Sequence, residues 1–167
     1  MINFFRKRFL RRDQQSQKGT TAIEMALIAP VFIIMFMGLA DVSLMMLAQH
    51  MLENATFNAS RLGKTGYAAL GSTQEQTVID KLNGELGGLY PLIDTSKVSF
   101  SYVAYGSLSD IGRDDAGTTG LGVAQQVVVY TVSYPWKFFT PVIGEIMGGE
   151  DQTLTLTARL VVRNEPY

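Results

Sequence analysis

Between Met25 and Ala40 the chain runs for 16 residues without a charge or a strong hydrogen-bonding side chain, and the apolar character resumes after Asp41 as far as Ala48. As a helix rising about 1.5 Å per residue, the stretch from Thr20 to Ala48 is long enough to cross about 30 Å of hydrocarbon. A membrane-spanning helix is therefore the first element expected. Residues 1–19 carry a net charge of +5 and the rest of the chain −6. By the positive-inside rule this division keeps the N-terminus in the cytoplasm and exports the acidic body. A cleaved secretory signal fits less well, because such signals end in a small-x-small site after an apolar run of roughly 7 to 15 residues. Three parts follow: a basic cytoplasmic leader (1–19), a transmembrane helix (20–48) and an exported domain (49–167).

Composition narrows the chemistry. The chain of 167 residues has no cysteine and one histidine, which removes disulfides, thiolate and His-based metal sites, and cysteine nucleophiles. It holds no phosphate loop, nucleophile elbow or paired carboxylates on a defined face, so neither an enzyme nor a cofactor or metal site is expected. The basic leader lies beside a span, where attraction to anionic headgroups explains it better than nucleic acid does.

Three residues in or beside the span stand out. Glu24 lies at the cytoplasmic entrance, where a carboxylate calls for a cationic partner. Asp41, about 25 Å further along the helix, is expected at the far interface in contact with water. Pro30 removes a backbone donor and marks a kink or local melting.

The stretch Lys18-Gly19-Thr20-Thr21-Ala22-Ile23-Glu24, followed at once by an apolar helix, resembles the processing site of type IV pilin precursors. The resemblance implies that a prepilin peptidase cuts between Gly19 and Thr20 and leaves Glu24 as the fifth mature residue. It also implies a partner for Glu24, the new ammonium of Thr20 on a neighbouring subunit. Such a pair in low dielectric would set axial register. Within that class the chain looks most like the TadE-like family, the minor pilins or pseudopilins of the tight adherence (Flp-type) pilus. The resemblance is carried by Gly-Thr-Thr-Ala-Ile-Glu-Met-Ala-Leu-Ile-Ala-Pro, by Gln49 to Gly63, by Tyr134-Pro135-Trp136 and Thr140-Pro141, and by Ala158 and Arg163-Asn164-Glu165. Met25 stands where the major Flp pilins carry tyrosine, which argues for a minor component.

In the exported part, Leu44, Leu47, Met51, Ala55, Ala59 and Leu62 form one apolar stripe at helical spacing, with Gly63 and Gly66 ending the helix. Met46, His50 and Phe57 fall on the opposite side. They pack within the domain or face another subunit, and Met46 and Phe57 are candidate subunit contacts; His50 is given no ligand or catalytic role. Ser72 to Glu75 has capping-box spacing and opens a second helix running to about Leu86. Three strands follow, around Val98–Ala104, Val127–Val132 and Thr153–Arg163, each with period-2 alternation. The predicted fold is α+β and pilin-like: a long N-terminal transmembrane helix continuing into a helix packed on an antiparallel sheet of about three strands. The glycine-rich stretch 106–122, with Asp110, Asp114 and Asp115, reads as a solvated loop, since calcium needs six to eight oxygen ligands. The apolar segment Pro135–Gly149 covers one end of the core or offers a docking surface.

The function expected from the sequence and the resemblance is a minor pilin in the bacterial inner membrane, single-pass with its C-terminal domain in the periplasm. Prepilin peptidase trims it, and it works with other minor pilins, the major Flp pilin and the inner-membrane assembly platform. The alternative is an uncleaved single-span envelope protein whose exported domain binds a partner without polymerising.

Overall fold

The computed structural model describes residues 2–88, 91–113 and 115–166, with side chains described from Gly19 onward. The side chains of the basic leader before Gly19, and Asp114, lie outside the described residues. Helix α1 (Ile2–Lys64) is followed by α2 (Gln74–Gly87), β1 (Ser99–Tyr105), β2 (Gly117–Thr119), β3 (Val127–Lys137), α3 (Pro141–Gly148) and β4 (Thr153–Arg163). The strands form one antiparallel sheet in the order β2-β1-β3-β4. The α+β class and the helix-on-sheet arrangement are as expected, with four strands in place of about three. The extra strand pairs Gly117–Thr119 with Val103–Tyr105 inside the stretch read as a loop. Gly-Thr-Thr has no apolar alternation to announce a strand. The close approach depends on glycine, because a methyl at Gly117 would stand 2.6 Å from Val103 Cγ1.

Alternation settles the sheet's two faces. Register places Ala104 beside Val128 and Val128 beside Val162, Tyr102 beside Tyr130 and Tyr130 beside Leu160, and Phe100 beside Val132 and Val132 beside Ala158. These rows point to one side and meet Ala48, Leu52, Ala55 and Ala59 of α1 and Val78, Leu82 and Leu86 of α2 in a single core. β3 runs beyond the expected strand through Pro135. β1 ends its pairing at Ser133, so Pro135 falls where β3 has only β4 beside it and a missing N–H costs no ladder bond.

The buried stripe of α1 differs from the expected one. Leu44 and Leu47 are exposed, at 37% and 43%, while Asp41, Ala48, Leu52, Ala55, Thr56, Ala59 and Ser60 are buried. Small residues let the helix lie close to the sheet, and the bulkier leucines are turned outward. Gly63 lies within α1 rather than ending it, and a methyl there would collide with Tyr130 Oη. The chain turns at Gly66, with φ of +68°. The cap of α2 is Thr73, one residue past the expected Ser72, its hydroxyl accepting the Gln76 N–H at 3.1 Å. Asn58 of α1 donates to Glu85 of α2 at 2.9 Å. That bond, and then Lys81 at 3.0 Å, hold the Glu85 carboxyl below its ordinary range.

Candidate functional site

One helix among the described residues, Gly19–Lys64 of α1, is long and apolar enough to cross a membrane. Its first half packs against almost nothing: Ile23, Leu27 and Val31 are each about two-thirds exposed. A core helix of a soluble protein would bury this surface, so the exposure calls for a non-aqueous surrounding. Gly19 and Thr20 lie within α1, both exposed. Glu24 is exposed five positions beyond Gly19 and makes no ion pair among the described residues. The helix is unbroken through Pro30, so local melting does not occur there.

Asp41 overturns its expectation. It is buried to 2%, not solvated, and its Oδ2 accepts the backbone N–H groups of Phe139 and Thr140, both at 2.8 Å. Thr140 is the N-cap of α3 and Pro141 occupies its first turn, but the Thr140 side chain makes no capping bond. A carboxylate from α1 thus binds the entrance to α3 from 98 residues away. Two charge-assisted bonds to Oδ2 offset part of the cost of burying it, while Oδ1 is buried with no hydrogen-bond partner among the described residues. Three residues earlier, a methyl at Gly38 would come within 2.8 Å of Ile143 Cγ1 on α3. Glycine at 38 therefore lets α3 lie directly against the end of the apolar run. Sequence reasoning missed this junction. Its traces were the lone acid interrupting an apolar helix and the Thr140-Pro141 helix start.

The segment 135–149 divides between both of its readings. Trp136 and Phe138 are buried and Ile143 packs against the core, while Phe139, Val142, Ile146 and Met147 are exposed. Phe139 still meets Trp136 edge to face at a centroid distance of 6.0 Å.

Further along α1, Met46 and Phe57 are exposed at 55% and 53%, and His50 faces solvent beside Glu53 at 3.5 Å. About half of the Met46 and Phe57 side chains is left uncovered by the domain. Phe57 borders a shallow groove between Glu53 and Asn54 of α1 and Arg159 of β4. In the 106–122 stretch the Asp110 carboxylate is engaged by Arg113 at 3.3 Å. Among the described residues no three His, Cys, Asp or Glu side chains gather as metal ligands.

The geometry defines a class: a protein with one N-terminal helix long and apolar enough to span a membrane, and an α+β domain clasped to that helix at Gly38 and Asp41. The family model for TadE-like protein matches residues 19–61, which take in most of the apolar helix α1, so over this stretch the chain is similar to that family. No curated protein and no solved structure matches the chain.

Proposed function

We propose that the protein is a minor pilin or pseudopilin of a tight adherence pilus, held in the inner membrane by α1, trimmed by prepilin peptidase between Gly19 and Thr20, and active in starting or supporting pilus assembly. It acts as a structural subunit and not as an enzyme. The observation that carries this reading is Glu24, an exposed carboxylate at the head of a bare apolar helix and inside the matched segment. A carboxylate bordering hydrocarbon is costly without a cation. The Thr20 ammonium of a neighbouring subunit would supply one only after cleavage. Met46 and Phe57 extend the same unpartnered surface into the exported part, where a neighbouring helix in the assembly would cover them.

The intact mass and N-terminal sequence of protein from native membranes test the processing step, with a chain starting at Thr20 expected. A chain starting at Met1 would favour the uncleaved envelope protein. Glu24→Ala is expected to insert in the membrane normally and to be lost from assembled pili; normal piliation in that variant would remove the register role.

A further inference from the structure

We propose that α3 is a membrane foot: that Phe139, Val142, Ile146 and Met147 enter the outer boundary of the lipid bilayer beside the span. The inference rests on the reading of α1 as a membrane span. It goes beyond that reading by giving the exported domain a lipid contact of its own.

Depth along α1 carries the argument. From Glu24 to Asp41 the helix advances 17 residues, about 25 Å, whereas the hydrocarbon layer is about 30 Å thick. The two carboxylates cannot both stand clear of the hydrocarbon on an upright helix. Asp41 is the better sheltered of the two, because it is buried to 2% and its Oδ2 takes two backbone N–H groups at 2.8 Å, although Oδ1 has no hydrogen-bond partner, whereas Glu24 is exposed. The segment that shields it, the entrance to α3, must then sit at the same depth. Ile143 against Gly38 fixes α3 there independently, one turn inside the end of the apolar run.

The surface that α3 turns outward matches this depth. Ile146 is 76% exposed, Phe139 68%, Val142 47% and Met147 41%, and none has a charge. Together with the exposed Met37 and Leu39 of α1 they bring apolar surface from two elements to one level of the molecule. Glu145, Glu150 and Asp151 are exposed nearby. On a helical wheel Glu145 lies about 60° from Val142 and about 100° from Ile146, on the same outward face, so the foot enters no deeper than a level at which that carboxylate reaches the headgroups. With acids and no lysine or arginine on α3, the driving force is apolar burial, and a neutral lipid surface suffices.

The absence of cysteine makes the test direct. Nitroxide labels on Ile146→Cys, Val142→Cys, Phe36→Cys and Val123→Cys are compared in the full chain reconstituted in phosphatidylcholine vesicles, reading collision rates with oxygen and with a water-soluble nickel chelate. Phe36 lies within the apolar run. Val123 is exposed at the opposite end of β3 from α3. The expected result is an oxygen-to-nickel ratio at 146 and 142 several-fold above that at 123 and in the direction of that at 36. A ratio at 146 and 142 equal to that at 123, with 36 lipid-like, would overturn the foot and leave the anchor standing. Low collision with both reagents, with spin–spin broadening that fades on dilution with unlabelled protein, would overturn it in favour of a second copy covering α3. A water-like ratio at 36 would overturn the anchor and the foot together.

Discussion

Asp41 is a carboxylate with its charge matched only by backbone dipoles, so its contribution can be isolated by substitution. Removing it in Asp41→Ala leaves the Phe139 and Thr140 N–H groups without their acceptor in a buried setting. The expected cost is about 2 kcal/mol or more, since bonds to a charged group are each worth roughly 1.5–3 kcal/mol. Asp41→Asn keeps a carbonyl oxygen in place and should recover part of that. Trp136 is the only tryptophan, buried to 2% and packed against Phe139, so its emission reports this junction. Denaturant melts of the full chain in detergent, followed by that emission, should show Asp41→Ala least stable and red-shifted, with Asp41→Asn between it and the wild type. Equal stability of all three would mean that the α1–α3 clasp contributes nothing.

At the scale of elements, glycine in a helix has opposite consequences in α1 and α2. Gly84 lies within α2 with nothing within 4 Å of an added methyl, so Gly84→Ala should stabilise by about 0.5–1 kcal/mol through helix propensity alone. Gly63 has Tyr130 Oη in that space. Gly63→Ala should therefore destabilise by about 1–3 kcal/mol, because overpacking outweighs a propensity gain of about 1 kcal/mol. Thermal melts decide it, and stabilisation by both substitutions would show that α1 does not press on the sheet at residue 63. The same contrast explains which elements were legible in the sequence. β1 and β4 announced their inner rows because apolar residues alternate with polar ones, whereas the Val-Val-Val-Tyr run of β3 marked a strand without marking its inner row. The stripe read on α1 placed Ala55 and Ala59 correctly but took in Leu44 and Leu47, which are exposed, and missed Ala48, Ser60 and Gly63, whose value against the sheet is their smallness. Hydropathy does not register smallness. Glu24 and Gly19 were legible as local spacing. Asp41's role was not, because its partners lie 98 and 99 residues away and are backbone groups that no side-chain pattern encodes.

For the whole molecule, the decisive asymmetry is electrical. A leader of +5 precedes an apolar helix that carries Glu24 and Asp41, and a body of −4 follows it. We propose that the cost of carrying clustered lysine and arginine across the bilayer, added to their attraction to anionic inner-leaflet lipid at about 1 kcal/mol each, orients the span. In the proposed orientation the domain emerges beside α3, and Val123 lies beyond the opposite end of β3, a strand of 11 residues, about 35 Å. This orientation is checked with Val123→Cys as the sole thiol. A membrane-impermeant maleimide should label it fully on intact spheroplasts, without lysis. Neutralising Arg6, Lys7, Arg8, Arg11 and Arg12 to glutamine leaves the apolar run intact and removes the orienting charge. In that background a fraction of Val123→Cys should become reactive only after lysis. Full labelling of both proteins on intact spheroplasts would mean that the folded acidic body, and not the basic leader, decides which way the chain crosses.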